Sequence, residues 1–278
     1  MRTENPPPWS ASETRRALDA GRAGFAQMLA AALPGAALHG AHGVAWVDSG
    51  VPDEAFNFVY RVAPQGSDAD LAAGAAGVIE HFARRALPFG WSVGLRGEAP
   101  RDAGVLEGCG LRFVEQEPGM GLDLRGLDDE AAPDGLQIRE VTDAGLLRAW
   151  MQAWACGTPQ DVVERWYRVY SALPYGPQGL LRMFVGLLGG EPAATVYTLL
   201  VDRCAVVHYV VTRPEARRRG LGAAMTRRAL REARATGCRA AVLCASDLGR
   251  GVYERLGFRE ACRVSTYVWQ PDRPPAAA

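Results

Sequence analysis

The 278-residue chain has no lysine; its 31 basic side chains are all arginine and are balanced by 31 Asp and Glu, for a formal net charge of +0. That balance offers no bulk attraction to nucleic acid or to an anionic membrane surface. The missing lysine also excludes a Walker A phosphate loop, which needs one. No apolar run approaches the ~18 residues of a membrane-crossing helix. The six cysteines (Cys109, Cys156, Cys204, Cys238, Cys244 and Cys262) contain no C-x-x-C pair and lie in apolar stretches. They read as reduced, buried thiols in a cytoplasmic protein rather than a disulfide framework. The opening MRTENPPPW has an acid and a proline run where a signal peptide has a basic region and an apolar core, so none is expected. What remains, 48% hydrophobic and 22% charged, is ordinary for a globular protein of one or two domains.

Ser10 and Glu13 form an S-x-x-E capping pair before a helical stretch that Pro34 and Gly35 stop. Strands are expected at Gly43–Val47, Ala55–Val62 and Gly90–Leu95, with a helix from Asp68 to Ala86 between the last two. A short helix over Asp102–Cys109 and a strand near Gly121–Leu124 complete the first half. The acidic, turn-rich stretch Leu127–Gly135 reads as a linker between domains at 1–126 and 136–270. In the second half, Thr142 is expected to cap a helix with Trp150 and Trp154, and Thr158-Pro159 to start another with Trp166 and Tyr170. Gly189-Gly190 suits a hairpin turn between two strands. A third strand, Cys204–Thr212, leads to a helix over Gly220–Thr236, and strand, short helix and strand follow. The pattern is α/β, with a mixed central sheet and flanking helices. A short internal echo links Leu106–Arg112 (LEGCGLR) to Tyr253–Arg259 (YERLGFR), each a helix end, a glycine and a strand start.

The strongest local signal is R-R-R-G-L-G, Arg217 to Gly222, where the strand pattern gives way to a helical one. Glycine there lets a ligand approach the backbone and leaves first-turn N–H groups free to donate. A helix N-terminus carries about half a positive charge and favours anions. Between Arg213 and Arg234 stand eight arginines against Glu215 and Glu232, a local charge of +6 that a bound polyphosphate would explain. Met225 stands where the Rossmann G-x-G-x-x-G needs its third glycine. The plainer alternative is a solvated, arginine-rich helix after a glycine turn.

R-x-x-G-x-G at a strand–helix junction resembles the acyl-CoA motif of the GNAT N-acetyltransferase superfamily. Ser246-x-x-Gly249-x-x-x-Tyr253-x-x-x-Gly257-Phe258 resembles that family's N-x-x-A-x-x-x-Y-x-x-x-G-F, with Ser246 for the usual Asn and Gly249 for the usual Ala. The resemblance covers about Leu136 to Trp269. It implies that Arg217, Arg218, Arg219, Gly220, Leu221, Gly222 and Ala223 hold the CoA pyrophosphate. It implies further that Val210, Val211 and Thr212 run beside the pantetheine, with Ser246 and Gly249 facing it, and that acetyl-CoA or another acyl-CoA is the co-substrate. The first half resembles a degenerate copy: its junction Val62–Ser67 has neither R-x-x-G-x-G nor an arginine cluster. That half is expected not to bind CoA in the same way; completing the sheet, covering the acceptor or homodimerisation are roles open to it.

Acyl transfer to an amine needs the neutral nucleophile, and deprotonating an amine of pKa about 10.4 at pH 7 costs roughly 4–5 kcal/mol. A thiolate leaving group gains from a proton donor, and a phenol of pKa about 10 keeps its proton at pH 7. Tyr253 stands at the family's general-acid position; its alternative is a tyrosine packed between helix and sheet. His208 is the candidate base, because strand alternation puts 206, 208, 210 and 212 on one side and related enzymes place a base on this strand. A water chain and a purely structural histidine compete with it, and Glu191 belongs to an exposed hairpin tip. Trp150, Trp154, Trp166, Tyr167, Tyr170 and Tyr175 concentrate aromatic surface suited to an apolar or cationic small-molecule amine acceptor, although most would also serve as helix packing. His39, His42 and His81 show no ligand-like spacing, so no metal is expected. The expected activity is an acyl-CoA-dependent N-acyltransferase acting by direct transfer; a CoA-binding regulatory module without turnover is the alternative.

Overall fold

The chain's structure, a computed structural model, describes residues 9–63, 67–95, 99–127 and 131–271. The terminal segments, Pro64–Gly66 of the first-half junction and Asp128–Glu130 of the expected linker lie outside the described residues. The first half runs α1 (Ala11–Ala32), β1 (Ala37–Ala41), β2 (Val44–Asp48), β3 (Phe58–Val62), α2 (Asp68–Arg85), β4 (Phe89–Val93), α3 (Ala99–Gly108) and β5 (Arg112–Asp123). The second runs β6 (Leu136–Glu140), α4 (Ala144–Ala155), α5 (Gln160–Ala172), β7 (Leu181–Leu188), β8 (Glu191–Val201) and β9 (Cys204–Thr212). It ends with α6 (Leu221–Ala235), β10 (Ala240–Cys244), α7 (Asp247–Arg255) and β11 (Arg259–Trp269). The order β-β-β-α-β-α-β therefore occurs twice, and the mixed α/β architecture expected from the sequence is present.

Two compact units are each assembled from separate stretches: residues 1–18, 118–163 and 175–261 form one, and 19–117, 164–174 and 262–278 the other. Strand order in the first unit is β5-β10-β9-β8-β7-β6, with β10 parallel to β9 and antiparallel to β5 (Ala240↔Asp123). In the second it is β1-β2-β3-β4-β11, with β3 parallel to β4 and β11 antiparallel to β4 (Ser265↔Val93). Each unit thus takes its last strand from the other half of the sequence.

Packing follows from small residues where helix meets sheet. In the first unit α6 lies so close to β7 that a Cβ at Gly186 would fall 2.8 Å from the Met225 sulfur. Around that contact Phe184, Val196, Val207, Leu230 and Leu243 form the core. In the second, a Cβ at Gly74 of α2 would fall 2.5 Å from Val44 Cγ2, and Val59, Val78, Phe82, Phe89 and Trp91 are buried around it.

Several local expectations need correcting. The sequence reading misses β1, β5 begins nine residues earlier than expected, and the cap of α4 is Asp143, whose side chain accepts from the Leu146 N–H at 2.9 Å, rather than Thr142. The six cysteines are all free; Cys204 and Cys238 are buried as expected, but Cys156 is exposed just past α4. Burial pushes the Cys204 thiol far above its ordinary range, which keeps it protonated and inert. Among the described residues no helix is long and apolar enough to cross a membrane.

Candidate functional site

Strand β9 ends in a short 3-10 turn, Pro214–Ala216, closed by the Ala216 N–H on the Arg213 carbonyl at 2.9 Å and the Arg217 N–H on the Pro214 carbonyl at 3.3 Å. The Arg217 side chain folds back, its Nε donating to the Thr212 carbonyl at 3.1 Å. Arg218 (φ 58°) and Gly220 (φ 78°) then take left-handed conformations and turn the chain into α6. Gly220 is the N-cap and no side chain caps the helix, so the first-turn amides of Leu221, Gly222 and Ala223 face whatever approaches from outside. Arg217, Arg218 and Arg219 are exposed around this end. The two glycines are there for different reasons. Gly220 is required by its positive φ, whereas a Cβ on Gly222 would meet only Thr212 Oγ1 at 3.7 Å and Val210 Cγ1 at 3.9 Å, which are ordinary contacts. The protein's own packing does not demand glycine at 222.

Beside this end the sheet parts. Strands β9 and β10 pair only from Cys204↔Ala240 to Val206↔Val242, after which β9 continues to Thr212 without that partner. Unpaired strand edge offers N–H and C=O groups to an extended ligand. Helix α7 starts where β10 ends, with Ser246 at its N-cap; the serine side chain makes no capping hydrogen bond.

Residues 147–258 match the family model of the acetyltransferase (GNAT) family. The chain carries a GNAT acetyltransferase domain. No curated protein matches the sequence. Among solved structures, a GCN5-related N-acetyltransferase from Kribbella flavida is similar with a TM-score of 0.71 at 19% identity, covering 91% of this chain and 96% of its own. A GCN5-related N-acetyltransferase from Sphaerobacter thermophilus has a TM-score of 0.62 at 16% identity, covering 94% and 95%. A tandem GNAT protein from the clavulanic acid biosynthesis pathway has a TM-score of 0.56 at 15% identity, covering 96% and 98%. At these identities the likeness is one of fold, and it extends over both halves.

Within the GNAT domain the candidate residues fall into three groups. Val210 and Thr212 lie on the α6 face beside Gly222. Ser246, Gly249 and Tyr253 lie together on α7, where a Cβ at 249 would stand 2.8 Å from the Tyr253 ring, so the ring occupies the place of the alanine usual in the family. Tyr253 is buried and sits edge-on to Phe258 at 5.8 Å.

The third group corrects the expected alternation. Tyr197 pairs with His208 but Thr195 with Val211, so β9 carries an extra residue, with Tyr209 in a left-handed conformation (φ 48°) and its carbonyl held by Thr195 Oγ1 at 2.8 Å. This bulge reverses the alternation. His208 shares a face with Tyr197 and Val211, while Val210 and Thr212 point to the opposite one. His208 is exposed, 5.1 Å from the Tyr197 ring centroid. Tyr209 packs edge-on against Trp150 (6.4 Å) and Trp154 (6.3 Å), whose rings stack on each other. Sequence reasoning singles out neither Tyr197 nor Tyr209, because nothing in the residue pattern marks the bulge.

The aromatic group expected on α4 and α5 divides. Trp150 and Trp154 lie on α4 in the unit that holds β6–β10, but Trp166 and Tyr170 belong to the other unit, where both meet Phe56 and Trp166 Nε1 donates to Asp53 Oδ2 at 2.8 Å. The histidines also depart from expectation: His39 and His81, forty-two positions apart, lie with ring centroids 4.5 Å apart.

Proposed function

We propose that the protein is an acyl-CoA-dependent N-acyltransferase, with acetyl-CoA as donor, that transfers the acyl group directly to a small-molecule amine in a ternary complex. The observation that carries this reading is the uncapped N-terminus of α6, ringed by exposed arginines and standing beside a strand edge that parts from its neighbour. In the proposed assignment the amides of Leu221, Gly222 and Ala223, with Arg217, Arg218, Arg219 and Gly220, hold the pyrophosphate. The edge Val210–Thr212 runs along the pantetheine, and the Ser246 hydroxyl, uncommitted to capping, takes the part of the family's asparagine amide.

The amine's lone pair attacks the thioester carbonyl, and collapse of the tetrahedral adduct breaks the C–S bond. Tyr253 donates its phenolic proton to the departing thiolate. His208 accepts the proton that the amine loses, directly or through water. The half-buried Tyr209 and Trp154 line the acceptor side, with buried Trp150 and Tyr197 packed behind them, and aromatic faces there favour a cationic or apolar amine. Residues 136–270 are the catalytic domain in this proposal, and 1–126 a copy of the fold that has lost the CoA turn. Six free cysteines suit a cytoplasmic setting.

Serine at the asparagine position and the reversed face of His208 favour a second reading, a CoA-binding module that no longer turns over. A thiol-release assay with acetyl-CoA and a panel of amines separates the two. Amine-dependent release of CoA that falls in His208→Ala, together with loss of the acidic limb of the pH–rate profile, is expected of the enzyme. Tight acetyl-CoA binding with no release across the panel would establish the module instead.

A further inference from the structure

Strands β1 and β2 form a hairpin in register His39↔Trp46, and Asp48, two residues beyond Trp46, projects to the same face. Helix α2 covers that face and brings His81 to it. The Nε2 of His81 stands 2.7 Å from Asp48 Oδ2, and one donor atom from each of His39, Asp48 and His81 lies within 4.8 Å of the others. The Asp48 side chain is only 2% exposed, and its Oδ1 already accepts from the Gly50 N–H at 2.9 Å, which leaves Oδ2 facing His81. The walls are aromatic: Trp46 stacks on His39 at 5.5 Å and Phe82 stands edge-on to His81 at 5.0 Å. Trp46 Nε1 is buried without a hydrogen-bond partner, so this wall retains a donor that none of the described residues satisfies.

We infer that His39, Asp48 and His81 form a binding site for a divalent first-row transition-metal ion, with zinc as its natural class of occupant. Two imidazoles and one carboxylate, with no thiolate, suit a borderline ion such as Zn2+. Mg2+ and Ca2+ prefer oxygen ligands throughout. Three protein ligands from a hairpin and a helix leave a fourth, tetrahedral position for water, and the ion would tie β1 and β2 to α2. Metal–ligand bonds of about 2.0–2.2 Å require the widest donor separation to close by up to about 1.5 Å, within reach of imidazole rotation. Binding breaks the hydrogen bond between His81 Nε2 and Asp48: the ring ligates through Nε2 as the neutral imidazole with its proton on Nδ1, and Asp48 ligates as the carboxylate. The competitor is Arg85, whose Nε lies 3.0 Å from the same Oδ2; its side chain is 45% exposed and can swing away. The site is independent of the acyl-transfer reading.

The test is titration of the metal-stripped full-length protein with Co2+, followed by displacement with Zn2+. Expected are one Co2+ per chain, the visible bands of a tetrahedral nitrogen and oxygen site without intense thiolate charge transfer, and a Zn2+-dependent rise in melting temperature. Loss of a partner that merely orients a ligand lowers metal affinity about 10–100-fold, so His39→Ala or His81→Ala should cost at least about 100-fold. Arg85→Ala should tighten binding, a change that a purely structural Asp48–Arg85 pair would not produce. Should His81→Ala fail to fold, His39→Ala on the half-exposed β1 carries the test. The site is overturned by absence of saturable binding, by thiolate bands that place the ion on cysteines, or by affinity unchanged in His39→Ala.

Discussion

Helices α2 and α6 hold the same place in the two repeats of the fold, each following a strand that parts from its parallel neighbour, yet their N-termini are finished in opposite ways. At α2, Ser67 Oγ accepts from the Asp70 N–H at 3.2 Å and the Asp70 carboxylate accepts from the Ser67 N–H at 2.7 Å, a closed capping box with Asp68 also in the first turn. At α6 a glycine cap and three arginines leave the end open. The parted strands differ too. Strands β3 and β4 pair only at Phe58↔Gly90 and Val59↔Trp91, and the guanidinium of Arg22 enters the gap, donating to the Val59 carbonyl at 3.0 Å and to Ser92 Oγ at 2.9 Å. A cavity of about 240 Å³ remains there, lined by Arg22, Tyr60, Ser92 and Asp102 among others. The helix ends that echo each other in sequence also match in hydrogen bonding: the Leu111 N–H bonds the Leu106 carbonyl and the Phe258 N–H bonds the Tyr253 carbonyl, both at 3.0 Å. Buried Leu106 thus stands where the GNAT domain has its phenol. Helix end, strand edge and the position matching Tyr253 are each filled internally in the first half, so the same scaffold there lacks the three features by which the proposed function would receive an acyl-CoA.

The largest expected effect is on the third of these differences. Tyr253→Phe should lower kcat by at least about 100-fold with the fold intact, the scale of a lost general acid. Leu106→Ala should instead cost about 2–5 kcal/mol of stability, as emptied core positions do, and leave kcat of the folded fraction unchanged. Steady-state kinetics beside denaturant melts read both, and full kcat in Tyr253→Phe would remove Tyr253 from the mechanism. A pair of glycines sharpens the comparison next. Gly222→Ala should raise the acyl-CoA KM about tenfold, or about 1.4 kcal/mol, with no loss of stability, since only a ligand needs that space. Gly74→Ala should do the reverse, destabilising by about 1–3 kcal/mol through overpacking against Val44, whose β-branched side chain in a strand cannot rotate away. A stability loss in Gly222→Ala with unchanged KM would show that the glycine is structural. Third comes Arg22→Ala. Removing the guanidinium leaves the carbonyl of buried Val59 without that donor and should cost about 1–3 kcal/mol, with acyl-CoA kinetics unaltered.

Local chemistry was the part legible in the sequence. The turn at Arg217–Gly222, the α7 signature, the Ser10–Glu13 cap and the Gly189-Gly190 hairpin depend on residues close in sequence, and each stands where the pattern puts it; both hairpin glycines have positive φ (60° and 91°). Pairing between distant segments was not legible. The hydrophobic pattern of β5 and β11 suits any sheet, and nothing in it says that each pairs within the unit built mainly from the other half of the sequence. Strand β5 also hides its first residues behind Glu115-Gln116-Glu117-Pro118, a polar run ending in proline that reads as a loop. The bulge at Tyr209 follows from the pairing of β8 with β9, so simple alternation gives His208 the face of Val210 and the backbone breaks that alternation. Trp166 and Tyr170 have a helical period that fixes their face but not the partner, Phe56, that the face meets. His39 and His81 are distant in sequence and become neighbours only when α2 closes over the hairpin.

The smallest effect expected from the comparison concerns acid. The Asp70 carboxyl is held below its ordinary pKa by the Ser67 hydroxyl and the Ser67 backbone N–H, both of which bond its charged form. A carboxyl whose pKa is lower in the folded state contributes stability that is fully present above its unfolded pKa, and that contribution is lost as pH falls through the folded value. The α2 cap should therefore be intact at neutral pH and weaken below about pH 4, the ordinary carboxylate range. The cap of α6 contains no carboxylate, so protonation has nothing to remove there. Protection factors from amide exchange, corrected for the intrinsic pH dependence of exchange, should fall for the first turn of α2 on acidification while those of α6 stay level. Asp70→Asn, which keeps the side-chain acceptor but cannot titrate, should abolish the difference. Equal loss at both helices would mean that acid acts on the fold as a whole, and the contrast between a helix end closed by its own side chains and one left for a ligand would lose this support.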